Sequence, residues 1–270
     1  MPELPEVETT LRGVAPHSVG RKVSELKVRN RSMRWPVPAG IEVELKNKKL
    51  ADIERRGKYL LFKFTHGTAI LHLGMSGSLR VMPTNSTPEK HDHIDICFGE
   101  RCLRFNDPRR FGCFLWTPEP SESHDLIQHL GPEPLSDDFN AEYLFGKSRK
   151  RKQNIKTFIM DAKVVVGVGN IYANEALFES GIHPLKAAGK LSKAKSEQLS
   201  ENIKNILQNA ITRGGTTLRD FVGGDGKPGY FAQELKVYGH GGEPCRTCAK
   251  PLTEKQIAKR TTVYCTQCQT

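Results

Sequence analysis

No stretch of this sequence approaches the ~18 consecutive apolar residues of a membrane-spanning helix, so no such helix is expected. The opening residues, Met1-Pro2-Glu3-Leu4-Pro5-Glu6, are acidic and lack an apolar core, so no secretory leader is expected and the product should stay in the cytosol. Acids are in short supply: 30 Asp and Glu face 41 Lys and Arg, a formal net charge of +11. Such an excess suits a polyanionic partner, nucleic acid being the usual one, although an ordinary basic protein also fits. The cations are spread along the chain, which disfavours a polybasic membrane anchor; only KSRKRK at 147–152 is dense. No internal repeat is visible, and nothing points to an obligate oligomer, so a monomer is expected. Cysteines number seven, and Cys97, Cys102 and Cys113 read as small buried hydrophobes.

The 270 residues suffice for two domains and a small third element. After a short N-terminal helix, started at Pro5 and stopped at Gly13, residues 22–117 read as β-structure. Leu60, Phe62 and Phe64 share one strand face, and Ile94, Ile96 and Phe98 alternate with His93, Asp95 and Cys97. Many short strands in about 120 residues suggest a sandwich or barrel. The segment GPEPLSDD (131–138) breaks the pattern and marks a boundary. Beyond it the texture is helical, with Leu199, Ile203, Ile206, Leu207, Ala210 and Ile211 on one face of a helix starting near Ser192. Residues 214–242 hold nine of the 24 glycines, a composition that suits a binding loop or lid.

Cys245-x2-Cys248 and Cys265-x2-Cys268 have the spacing of a four-thiolate zinc site. Each pair supplies two soft donors from one tight turn, and four protein ligands leave no open position, so the metal would be structural. Two disulfides are the alternative, which a cytosolic protein rarely keeps. The intervening Thr261-Thr262-Val263-Tyr264 reads as a strand, giving a hairpin that little besides zinc would pin. Arg260, next to Lys259 near its turn, could enter a DNA groove or be simply solvated.

Pro2 becomes the N-terminus if Met1 is removed, and its amine is then secondary. A generic α-amino group leaves roughly 10–15% free base at pH 7, against about 0.04% for a lysine. A helix start beside that amine disfavours the ammonium, whereas Glu3 and Glu6 oppose this and supply carboxyl groups for proton transfer. A secondary amine attacking a sugar C1′ gives an iminium with no N–H proton to lose, an electron sink for elimination. Many proteins begin Met-Pro without such chemistry, and residues alone leave both readings open.

PELPEVE at the start and the paired CxxC at the end closely resemble bacterial formamidopyrimidine-DNA glycosylase. The likeness continues in order through RRGKYLL (55–61), HLGMSGSLR (72–80), KHDHID (90–95), DPRRFG (107–112), VGVGNIYANEALF (166–178) and DGKPGYFAQELKVYG (225–239). It implies an α+β, multidomain fold. An N-terminal catalytic β-sandwich with flanking helices would span 1–131, a helical helix–two-turn–helix domain with a lesion-recognition loop 132–238, and a four-cysteine zinc finger 239–270. The implied activity is excision of 8-oxoguanine and formamidopyrimidines from double-stranded DNA through a Schiff base on Pro2, followed by β,δ-elimination. One structural Zn2+ is the implied cofactor, bound by Cys245, Cys248, Cys265 and Cys268, and the protein would associate with the nucleoid.

By the same resemblance Pro2 is the nucleophile, Glu3 the acid that protonates the sugar ring oxygen, and Glu6 a supporting group. Lys58 would contact a phosphate and assist chemistry; its parity with Leu60, Phe62 and Phe64 places it on their face or fraying outward at the strand end. His72, His91, Arg110, Lys156, Asn170 and Arg260 are the implied phosphate or site-positioning contacts, Arg260 also counting with the catalytic group. Asn170 additionally suits an N-cap for a helix over 171–180 stopped by Gly181. Met75, Arg109 and Phe111 would fill the gap left by an everted nucleotide, although Met75 and Phe111 could be core residues. Residues 221–238, ending at Tyr238, resemble the loop that closes over the extruded base. The sister glycosylase for oxidised pyrimidines, endonuclease VIII, also begins Pro-Glu, but LPEVE, DPRRFG and GKPGYFAQ follow the formamidopyrimidine pattern. A catalytically silent DNA-binding zinc protein has no need of acids at a basic chain's start.

Overall fold

The N-terminal half is organised by a helix whose apolar stripe is longer than its glycine suggests. In the computed structural model, which describes residues 1–215 and 234–270, α1 covers Leu4–Ser18. It does not stop at Gly13. Val7, Val14 and Ser18 recur on one buried face, and that packing outweighs the ~1 kcal/mol handicap of a mid-helix glycine. Pro16 falls in the last turn, and the chain leaves through Gly20 at φ 81°.

Beyond it come β1 (Glu25–Val28), α2 (Ile41–Leu45), β2 (Asp52–Arg56), β3 (Tyr59–Phe64), β4 (Gly67–His72), β5 (Ser78–Pro83), β6 (Asp92–Phe98), β7 (Arg101–Asn106) and β8 (Cys113–Thr117). They form two four-stranded antiparallel sheets, ordered β1-β6-β7-β5 and β2-β3-β4-β8. Leu60, Phe62 and Phe64 join Ile94, Ile96, Phe98, Val7 and Val14 in one core. The outer face of β6 is buried as well. There Arg104, 1% exposed, meets both carboxylate oxygens of Asp95 at 2.9 Å, and Arg29 binds the same acid. Burial alone would raise the Asp95 pKa, but the bonds from Arg29 and Arg104 win and hold it below the usual range. Cys97, Cys102 and Cys113 are fully buried.

The chain divides into two compact units, Met1–His129 with Arg213–Tyr230, and Leu130–Thr212 with Phe231–Thr270. The second holds α3 (Ala141–Ser148), α4 (Ile155–Ile159), α5 (Asn170–Glu179), α6 (Lys193–Thr212) and the hairpin β9 (Thr253–Ile257) and β10 (Arg260–Tyr264). Asn140 and Asn154 cap α3 and α4 by accepting from Tyr143 and Thr157 N–H. Asn170 caps nothing: it is the first helical residue of α5 and Gly169 is the cap. Its side chain instead donates to the Thr261 carbonyl at 3.0 Å. The stop at Gly181 holds, with φ 60° and bonds from Gly181 and Ile182 N–H to Phe178 and Leu177 carbonyls, a Schellman ending. Every residue from Ile171 to Phe178 is buried, so α5 is the central helix of this unit.

Candidate active site

Pro2, Glu3 and Glu6 are all buried, the two acids at 2% exposure. The reason is local: Glu3 N–H donates to Glu6 Oε2 at 2.8 Å, and the two acids close a capping box on α1. Carboxylates at a helix start also meet the positive end of its dipole. The terminal amine, here that of Met1, is pushed below its ordinary pKa by burial; Glu3 and Glu6 pull it up, and Lys58 and Arg109 push it down. Two acids, two cations and the chain start therefore share one electrostatic neighbourhood.

Lys58 is not on the apolar face of β3. Arg56 pairs with Tyr59, which leaves Gly57 (φ 58°) and Lys58 as a two-residue turn. The lysine is half-buried there. Its charge acts on His72 too, at the end of β4: burial first, then Lys58 and Arg34, lower the His72 pKa to about 4. His72 Nδ1 accepts from Gly74 N–H at 2.9 Å. In the neutral ring the proton must therefore sit on Nε2, making His72 an uncharged donor at neutral pH.

Two loops meet beside it. A Cβ at Gly74 would lie 2.5 Å from Gly112 N, and one at Gly112 only 2.4 Å from the His72 carbonyl, so the backbones approach as only glycine permits. Asp107, fully buried, accepts from Gly112 N–H at 2.8 Å and folds 107–112 back on itself. Arg110 takes the left-handed conformation at φ 56°. Arg109 and Phe111 are thereby presented outward: Phe111 is 45% exposed, and Arg109 stacks 5.9 Å from its ring while donating to Ser76 Oγ at 3.1 Å. Phe111 is no core residue, and Met75, half-buried on the facing loop, is only partly one. His91 joins this group because its carbonyl accepts from Asp107 N–H at 3.0 Å. Pro2, Glu3, Glu6, Lys58, His72, Met75, His91, Arg109, Arg110 and Phe111 thus all belong to the first unit.

Lys156, Asn170, Tyr238, Arg260 and the four cysteines belong to the second. Lys156 is only 1% exposed, its ammonium donating to the Thr261 carbonyl at 3.0 Å and Thr262 Oγ1 at 2.7 Å. Arg260 is exposed, one residue past a hairpin tip where Ala258 and Lys259 are both left-handed. The four thiols lie within 4.8 Å of one another, with Cys245 and Cys268 3.9 Å apart and Cys248 and Cys265 3.4 Å apart. A tetrahedron with Zn–S near 2.3 Å has edges of about 3.8 Å, so the set fits one structural Zn2+. Zinc is not the hairpin's sole anchor. Val263 N–H donates to Asn174 Oδ1 at 2.9 Å, Gln269 bridges Cys265 N–H and the Ile182 carbonyl, and Phe178 packs against Val263 and Leu252.

Glu175 was missed by pattern alone. Its carboxylate accepts from the N–H groups of Lys236, Val237 and Tyr238 at 2.9, 3.0 and 2.8 Å, holding half-buried Tyr238 in place. An acid inside an otherwise buried helix was the available signal, because such a group must find donors. The expected closing loop over 221–238 lies outside the described residues up to 233. Among the described residues no helix is long and apolar enough to cross a membrane.

Comparison with known proteins gives a consistent result. Residues 1–114 match the family model of the formamidopyrimidine-DNA glycosylase N-terminal domain, 130–222 that of its H2TH domain, and 242–270 the zinc finger found in FPG and IleRS. A formamidopyrimidine-DNA glycosylase of Saccharophagus degradans is 64% identical over the full length of both chains. The Lactococcus lactis Fpg bound to abasic-site DNA superposes with a TM-score of 0.91 at 34% identity, covering 99% of each chain. The same enzyme with DNA carrying N7-benzyl-Fapy-dG gives 0.92 at 34%, again covering 99% of each.

Proposed function

This chain belongs to the formamidopyrimidine-DNA glycosylase family, and we propose that it excises 8-oxoguanine and formamidopyrimidines from duplex DNA and then cleaves the abasic site. The observation that carries this reading is the buried start of the chain, where two acids and two cations surround the terminal amine. Once Met1 is removed, the secondary amine of Pro2 occupies that neighbourhood. Burial, Lys58 and Arg109 favour its free base, while Glu3 and Glu6 oppose them.

Pro2 attacks C1′ of the damaged nucleotide as the bond from C1′ to the base breaks. The base leaves with a proton from water, and Glu3 takes up the proton that the amine gives up on bonding and passes it to the sugar ring oxygen, opening the ring and leaving an iminium on Pro2. With no N–H proton to lose, the iminium keeps its charge and draws electrons from the C2′–H bond. Water takes the C2′ proton as the 3′-phosphate leaves by β-elimination and the C4′ proton as the 5′-phosphate leaves by δ-elimination, and hydrolysis of the iminium then releases the enzyme.

Access to C1′ requires the nucleotide to leave the stack, at a cost of a few kcal/mol. Met75 and Phe111 fill the space, and Arg109 pairs with the orphaned base. Phosphates are held by Lys58, neutral His72, His91 and Arg110 in one unit, and by Asn170 and exposed Arg260 in the other. Lys156 contributes its charge from beneath the hairpin that Zn2+ orders. The test is Glu3→Gln: lesion duplex should bind at near-normal affinity, while single-turnover base excision drops at least a hundredfold. Normal excision would remove Glu3 from this role.

A further inference from the structure

Thr262 stands between two groups that the reaction uses, and sequence gave no reason to single it out. It is fully buried on β10, and its hydroxyl engages in both directions. Oγ1 accepts from Lys156 Nζ at 2.7 Å and donates to the Arg260 carbonyl at 3.2 Å. A hydroxyl has one proton to give, so the lysine's approach fixes that proton toward Arg260. We propose that Thr262 is a positioning residue that locks Arg260 against the helical unit, so that the guanidinium is pre-set to meet DNA. This rests on the reading that Arg260 contacts DNA.

Three features of the surroundings support it. Lys156, 1% exposed, carries a charge that must keep its acceptors, and the described ones are the Thr261 carbonyl and the Thr262 hydroxyl. Asn170 and Asn174 hold the same strand at the Thr261 carbonyl and Val263 N–H, so β10 is gripped at consecutive residues. Arg260 itself follows the two left-handed residues of the tip, and the bond to its carbonyl is the first described side-chain tie on its strand. A small rotation of that peptide plane is amplified along a long side chain, and contacts misplaced by about 1 Å are enough to lose function. The cysteines lie at the opposite end of the strand, so the metal and the hydroxyl hold different parts of the hairpin.

The test uses the intact zinc-loaded protein, a duplex with a tetrahydrofuran abasic analogue for binding and one with 8-oxoguanine for excision, and the variants Thr262→Val, Thr262→Ser, Arg260→Ala and the Thr262→Val/Arg260→Ala double. Thr262→Val should retain one zinc per chain and raise Kd about fivefold. Its single-turnover excision rate at saturating enzyme should change less than twofold, and Thr262→Ser should restore binding. In the Arg260→Ala background Thr262→Val should add nothing further, because it acts through that side chain. Independent, additive losses would overturn the proposal, as would loss of zinc from Thr262→Val, which would make the hydroxyl merely structural. Normal binding by Thr262→Val beside weakened Arg260→Ala would also sink it, while leaving the Arg260 contact standing. The reverse pattern would instead refute the Arg260 contact on which it rests.

Discussion

Protonating His72 should be costly, and the cost can be worked out. Burial, helped by Lys58 and Arg34, lowers its pKa from 6.5 to about 4. The unfolded chain therefore binds the proton more readily than the folded one. Stability is full above about pH 6.5 and is lost as the pH falls toward 4, the whole window amounting to ~3 kcal/mol. Between pH 7.5 and 5 the loss is about 2 kcal/mol. His72→Gln keeps an acceptor for Gly74 N–H and an uncharged donor, so its urea midpoint should move less over that range than the wild-type midpoint does. The imidazole signal in NMR should titrate near pH 4 or not within the folded range. If His72 contacts a phosphate, as proposed, it does so without neutralising it. His72→Ala should weaken binding while leaving the slope of log K against log salt unchanged, whereas Arg110→Ala should reduce that slope by about 0.9. An imidazole titrating above pH 6, or a slope change of that size in His72→Ala, would refute the neutral-donor assignment.

Removing zinc, by a chelator or Cys248→Ser, should weaken lesion binding at least tenfold while slowing single-turnover cleavage of a bound abasic site far less. Part of the hairpin should stay docked through Lys156, Asn174 and Phe178, visible as residual amide protection at Val263. Arg109→Ala should lower excision of 8-oxoguanine and narrow the preference for cytosine over adenine opposite it. A guanidinium only donates, and cytosine offers O2 and N3 as acceptors where adenine presents an N6 donor. An unchanged ratio would transfer opposite-base reading to another residue, Arg110 first.

What could be read in the sequence was local. The cysteine pairs carry their geometry in their spacing, Leu60, Phe62 and Phe64 carry theirs in parity, and Gly181 marks a helix end that the Schellman bonds confirm. Gly13 misled because packing of Val14 and Ser18 against the core outweighs local propensity. Lys58 misled by one residue, since parity cannot show where a strand yields to its turn. Asn170 had the residue type of a cap, but its partner, Thr261, is 91 positions away. The same distance in sequence hid Glu175, which serves backbone groups 61–63 residues on, and Thr262, which faces a lysine 106 residues earlier. Their roles exist only once α4, α5 and the hairpin have packed together.

The central claim is that the Pro2 amine is the nucleophile, and sodium borohydride reduction with abasic-site duplex tests it most directly. The expected result is a covalent enzyme–DNA product whose crosslink maps by mass spectrometry to an N-terminal peptide beginning at Pro2, with Met1 gone, and Lys58→Ala should still trap. Crosslinking at Lys58, or normal trapping by a protein that retains Met1 in full, would contradict it.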